Sequence, residues 1–246
     1  MPAAGIRHRS ARRSRTDPVT PRWHPSPNFG DRRDGLRPSL VVLHYTAMKS
    51  AGAALERLCD PAAEVSAHYL IGADGTLWQM VREADRAWHA GAGAWRGRDD
   101  INSRSIGIEL DNLGTHPFSE PQMAALGALL PGILARWGIG PAGVIGHSDM
   151  APGRKWDPGP RFDWARLARE GLALTHLDHG PGQGGAVAAD RFRALARRAG
   201  YPDGAADDDL LTAVRYRIRP WGRGPLAQAD MDALAGFVAA QEAPLA

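Results

Sequence analysis

The chain has a single cysteine, Cys59, in 246 residues, which excludes an intramolecular disulfide and any metal site built from several thiolates. Cys59 sits in an Ala/Leu run with Ala53, Ala54, Leu55 and Leu58 and reads as a small core residue. No stretch approaches the ~18 consecutive apolar residues of a membrane-crossing helix, so no transmembrane segment is expected. Lysine is almost as scarce: of thirty basic residues only Lys49 and Lys155 are lysines. Where arginine serves as the general cation, a remaining lysine is a candidate for work that needs an ammonium group. Lys155 stands out on this ground.

Basic charge is concentrated rather than abundant. The formal net charge is +3, yet eight arginines fall within residues 1–33. They are mixed with Pro, Ser and Asp and few large apolar residues, a composition that reads as a disordered basic arm over residues 1–25. No apolar stretch follows Arg12-Arg13, so no signal peptide is expected. The expected location is cytoplasmic, with the periplasm or cell envelope as the alternative. The body lacks a basic stripe interleaved with aromatics, which argues against a nucleic-acid partner. Nothing sets the oligomeric state, and a monomer is the default expectation.

Ser39 to Thr46 (SLVVLHYT) is a continuous apolar run, as expected of a central strand buried on both faces. A short helix follows over Ser50 to Leu58, stopped by Asp60-Pro61. Val65 to Ile71 and Thr76 to Val81 flank an Asp74-Gly75 turn and read as a β-hairpin. In Ser105 to Leu110, Ile106, Ile108 and Leu110 alternate with Gly107 and Glu109, a strand with two distinct faces. Ser119 and Gln122 form a capping-box pattern for a helix to about Trp137, with a possible kink site at Pro131-Gly132. Val144 to Gly146 is a short strand leading into a loop from His147 to Pro160, and Asp163 to Leu172 a closing helix. The order predicts an α/β fold with a mixed sheet flanked by helices. Residues 175–189 form a Gly-rich linker, and three helical patterns beyond it predict a small separate domain at 190–246.

His44 and His147 both fall at the ends of apolar strands, where sheets of this kind build their sites. Two imidazoles and one carboxylate suffice to hold zinc with a position left open for chemistry. There is no His-Glu-x-x-His helix, so the common metalloprotease arrangement is excluded. With nine histidines in the chain, spacing alone does not select the ligands.

The set HYT (44–46), SIGIEL (105–110) and GHSDMAPGRKWDPGP (146–160) resembles the type 2 N-acetylmuramoyl-L-alanine amidases, the AmpD and AmiD group. SAHY at 66–69, the Asp74-Gly75-Thr76 turn and RAWHAG at 86–91 resemble it too, so the likeness covers roughly residues 26–172 and implies a zinc amidase domain at 26–174. It implies a type 2 amidase or peptidoglycan-recognition fold with zinc held by His44, His147 and Asp157. It also implies Glu109 as catalytic acid/base and Lys155 as support for the oxyanion. His68 and His89 are expected to line the substrate cleft or to support it by hydrogen bonds, with plain packing as the alternative. Trp88 is expected to stack on substrate, with core burial as the alternative, and Asp149 reads as a supporting or turn residue. Trp95 reads equally as cleft or core. The implied reaction is hydrolysis of the amide between N-acetylmuramic acid and L-alanine, in peptidoglycan or in soluble anhydro-muropeptides. A peptidoglycan-recognition protein without catalysis is the alternative. Residues 190–246 resemble the three-helix peptidoglycan-binding domain attached to AmiD-type enzymes, on Phe192, Leu195, Gly200-Tyr201, Val214, Tyr216, Leu234 and Phe237.

Overall fold

The computed structural model describes residues 20–176 and 187–243. Most of the expected arm, residues 1–19, and most of the expected linker, 177–186, lie outside the described residues. In chain order the elements are β1 (Arg22–Trp23), β2 (Phe29–Gly30), β3 (Leu40–Tyr45), α1 (Ala51–Cys59), β4 (Tyr69–Ile71), β5 (Leu77–Gln79) and β6 (Arg86–Ala87). There follow α2 (Ile101–Arg104), β7 (Ser105–Leu110), α3 (Glu120–Trp137), β8 (Val144–Gly146), α4 (His147–Met150) and α5 (Trp164–Arg169). The chain ends in α6 (Ala189–Ala199), α7 (Asp207–Ile218) and α8 (Gln228–Glu242).

Six strands form one mixed sheet in the order β1-β5-β4-β7-β3-β8. At its centre β3 and β7 run parallel from the Leu40–Ser105 pair to the Tyr45–Leu110 pair. Period-two alternation sends their side chains to opposite faces. On one face Val41, Leu43, Ile106, Ile108 and Leu110 pack under Leu126, Leu130 and Ile133 of α3 and Leu167 of α5. On the other, Val42 and Ile145 pack under Phe192, Val214, Leu234 and Phe237 of the C-terminal helices. Burying each such side chain contributes about 1.5–3 kcal/mol. Beside this second face, Ala54 and Leu58 of α1 close over Leu70 and Met80.

Several expectations need correction. The three C-terminal helices do not stand apart: they share a continuous core with the sheet. Order begins earlier than residue 26, because Arg22 and Trp23 pair in parallel with Trp78 and Gln79. Nor is every arginine of the basic segment solvated. The Arg32 guanidinium donates to the carbonyls of Glu83 (2.8 Å), Asn102 (3.1 Å), Ser103 (3.0 Å) and Ser105 (3.1 Å), fastening the turn that launches β7. The stretch read as loop from His147 opens with the short helix α4. Ser119 caps α3 as expected, but the Gln122 amide donates to the Ile71 carbonyl at 2.8 Å instead of closing a capping box. The helix continues through Pro131.

Candidate metal centre

β3 and β8 are neighbours, with Leu43 opposite Gly146, so the next residue on each strand's path is a histidine. His44 Nδ1 and His147 Nδ1 lie 2.9 Å apart. The loop after α4 returns Asp157 to the same point, its Oδ2 2.9 Å from His44 Nδ1 and 3.0 Å from His147 Nδ1. The loop is fastened where it arrives, since Ser148 N–H donates to the Asp157 carbonyl at 2.9 Å. All three side chains are buried, at 1%, 3% and 7% exposure. Among the described residues this is the one cluster of His, Cys, Asp or Glu suited to holding a metal ion.

The hydrogen-bond network assigns the protons. His147 Nε2–H donates to the Ala90 carbonyl at 2.8 Å, which leaves the Nδ1 lone pair facing the cluster. Ser105 Oγ donates to the Ile101 carbonyl at 2.6 Å, so its oxygen accepts from His89 Nε2–H at 3.2 Å. Burial, with His44 nearby, holds His89 well below the usual imidazole range. It is therefore neutral, and its Nδ1 accepts from His44 Nε2–H at 3.1 Å. The His44 Nδ1 lone pair then also faces inward. Two nitrogen lone pairs and a carboxylate oxygen converge within 3.0 Å. Such a set repels itself without a cation and suits a borderline metal such as zinc, leaving room for a further ligand. Burial also pushes His44 down to about 4, which keeps it in the neutral, ligating form at neutral pH.

Glu109 is the register partner of His44 on β7. Its Oε2 is buried without a hydrogen-bond partner. Burial first, then the charge of Asp157, pushes its carboxyl up to about 8, with Lys155 opposing the rise. A cleft of about 410 Å3 opens over the cluster, with Trp88, His89, Glu109, Lys155 and Trp156 in its wall beside the three candidate ligands. The structure thus brings together every residue expected at the centre.

His68 departs from the cleft-lining expectation. It is fully buried and lies outside the cleft lining, its Nδ1 accepting from Gly107 N–H at 2.9 Å and its Nε2–H donating to the Asp85 carbonyl at 3.1 Å. Burial and Arg32 push it down to about 3, so it serves as a neutral brace between strands. Trp95, at 2% exposure, packs edge-on to Tyr201 in the core, not in the cleft. Trp88 and His89 do line the cleft.

Two supports went unread in the sequence, Asn102 and Gly107. Asn102 Oδ1 accepts from the backbone of both His89 (3.0 Å) and Ala90 (2.8 Å), fixing the segment that orients both imidazoles. Gly107 has a steric reason: a Cβ there would sit 2.4 Å from His89 Cγ. The alternation in SIGIEL carried that signal, because Ser105, Gly107 and Glu109 share one face.

A mixed sheet and the loop beyond it bring two histidines and an aspartate together in an arrangement able to hold a metal ion. A family profile described as N-acetylmuramoyl-L-alanine amidase matches residues 34–160. The chain belongs to that family. It is 42% identical over 152 residues to the N-acetylmuramoyl-L-alanine amidase AmiD of Escherichia coli, spanning 55% of this chain and 54% of that protein. The match therefore spans about half the length of AmiD. It is 38% identical over 160 residues to the 1,6-anhydro-N-acetylmuramyl-L-alanine amidase AmpD of Citrobacter freundii, covering 58% of this chain and 86% of the relative. Among solved structures, E. coli AmiD bound to anhydro-N-acetylmuramic acid-L-Ala-D-γ-Glu-L-Lys superposes with TM-score 0.75 at 32% identity, covering 87% of this chain and 98% of the other. AmpDh3 of Pseudomonas aeruginosa, bound to an anhydromuramic pentapeptide, superposes with TM-score 0.74 at 29% identity. That superposition covers 98% of this chain and 100% of the other, so the shared architecture includes the C-terminal helices.

Proposed function

We propose that this chain is a zinc-dependent hydrolase of the amide bond joining N-acetylmuramic acid to L-alanine, acting on anhydro-muropeptides. The observation that carries the reading is the convergence of His44 Nδ1, His147 Nδ1 and Asp157 Oδ2 beside a buried, unpartnered carboxyl on Glu109. The substrate bound in AmiD and the anhydromuramic pentapeptide bound in AmpDh3 support this choice.

His44, His147 and Asp157 would hold the zinc ion, which when bound would supply Lewis acidity to the amide carbonyl and to water. Its charge would also bring Glu109 down from its metal-free value into the carboxylate form. Glu109 then takes a proton from the attacking water and returns it to the alanine nitrogen as the bond breaks. The Lys155 ammonium faces the same cleft and stabilises the charge that develops on the carbonyl oxygen. Trp88 lines the wall and offers an apolar plane to the sugar or peptide. Retention of both Glu109 and Lys155 favours catalysis over a recognition-only role.

For the C-terminal helices, packing supports a structural part in the enzyme, and attachment to murein is a second role carried by sequence resemblance. The test of function is release of new alanine amino termini from a purified anhydro-muropeptide and, separately, from insoluble murein. Turnover of the soluble substrate supports the proposal. No turnover of either by zinc-loaded protein overturns it. Lys155→Met should slow turnover by about 100-fold or more with zinc content unchanged.

A further inference from the structure

Arg217 is carried by α7, yet its guanidinium is buried against the sheet at 2% exposure. It lies 3.6 Å over the Trp164 ring, and all three of its nitrogens donate to oxygens outside α7. Nε donates to the Leu174 carbonyl at 2.8 Å, Nη2 to the Val144 carbonyl at 2.9 Å, and Nη1 to Asp149 Oδ2 at 3.1 Å. Asp149 is itself buried at 2%, and its other oxygen accepts from Tyr201 Oη at 3.1 Å. The same Oδ2 that meets Arg217 also accepts from Gly146 N–H at 2.7 Å.

These contacts bracket His147. Val144 and Gly146 are the last turns of chain before it, and Asp149 lies two residues beyond it on α4. A buried carboxylate is stable only while its partners hold it, and a ligand histidine must be held to about 0.5 Å to bind metal well. Both side-chain partners of Asp149 come from residues C-terminal to the linker. We propose that Arg217 and Tyr201 are positioning residues for the metal centre. They act through Asp149 on the His147 segment, so that the C-terminal helices set zinc affinity. The proposal rests on the reading of His44, His147 and Asp157 as zinc ligands.

The test is the zinc dissociation constant of the full chain, measured by competition with a chelating dye. It is run where circular dichroism shows every variant folded. Tyr201→Phe and Asp149→Asn should each weaken zinc by about 10-fold or more, the scale set by supports of ligand histidines. Leu129→Ala, which loosens the core on the opposite face of the sheet, should change it by less than about 2-fold, because general destabilisation alone does not reach the ligands. Should Asp149→Asn fail to fold, Tyr201→Phe decides, since it deletes one hydroxyl. If both variants bind zinc like the native chain while His147→Ala loses it, the positioning role is overturned and the zinc assignment stands. If the native chain takes up no zinc, both fall together.

Discussion

His44 and Glu109 are register partners on the two central parallel strands, so a candidate metal ligand and a candidate proton carrier leave the sheet side by side. The backbone ladder, not a flexible loop, sets their spacing. Division of labour follows from it. His44 offers its Nδ1 lone pair to the cluster, while Glu109 has an Oε2 with no protein partner.

Glu109→Gln keeps the shape of that side chain and removes its ability to carry a proton. Zinc content, read by metal analysis, should be unchanged, and turnover should fall by about 100-fold or more. Unchanged turnover would remove Glu109 from the reaction.

Glu109 also links stability to pH in the metal-free protein. Its folded pKa is raised, from 4.5 to about 8, because burial disfavours the charge. Between those values the unfolded chain has released a proton that the folded protein retains. Unfolding then releases protons, and stability falls as pH rises through the window. Glu109→Gln has no such proton, so its stability advantage over the native chain should grow from about pH 5 to about pH 8. Urea unfolding of chelator-treated protein at both ends reads this out. A constant difference would show that the carboxyl is not held neutral.

The relay from His44 through His89 to Ser105 fixes which nitrogen of His44 faces the centre. His89→Phe and Ser105→Ala should each weaken zinc binding, by about 10- to 100-fold for the histidine and less for the serine. Gly107→Ala should resemble His89→Phe, because the new methyl takes the space of the imidazole. Equilibrium titration with zinc checks all three. Native affinity in His89→Phe would dissolve the relay.

The C-terminal helices and the sheet form one core through Val42, Ile145, Phe192 and Phe237. Deleting the helices would strip that face, so a truncation cannot isolate a binding function. Phe237→Ala is the cleaner probe. It should cost about 3–5 kcal/mol and unfold the whole chain in one transition. Two separate transitions would mean the helices fold on their own.

Much of this was legible in the sequence, for reasons that differ by residue. His44 showed at the end of an apolar run and Glu109 on the far face of an alternating strand, but the resemblance in HYT and SIGIEL selected both. Lys155 and Asp157 showed through the GRKWDPGP resemblance. Arg32 and Arg217 did not show. Both sit in arginine-rich surroundings, where a charged side chain reads as solvated, and their burial depends on partners about 70 residues away. The same holds for the C-terminal helices: their amphipathic periods revealed apolar faces, but not that the partner surface was the far side of the sheet. His68 stayed open between cleft and packing, because a buried brace and a cleft histidine look alike beside a short strand.

The most direct measurement is anomalous diffraction at the zinc absorption edge from crystals of the zinc-loaded chain. The account predicts a single strong peak within coordination distance of His44 Nδ1, His147 Nδ1 and Asp157 Oδ2. A peak elsewhere, or none at that corner, would contradict it.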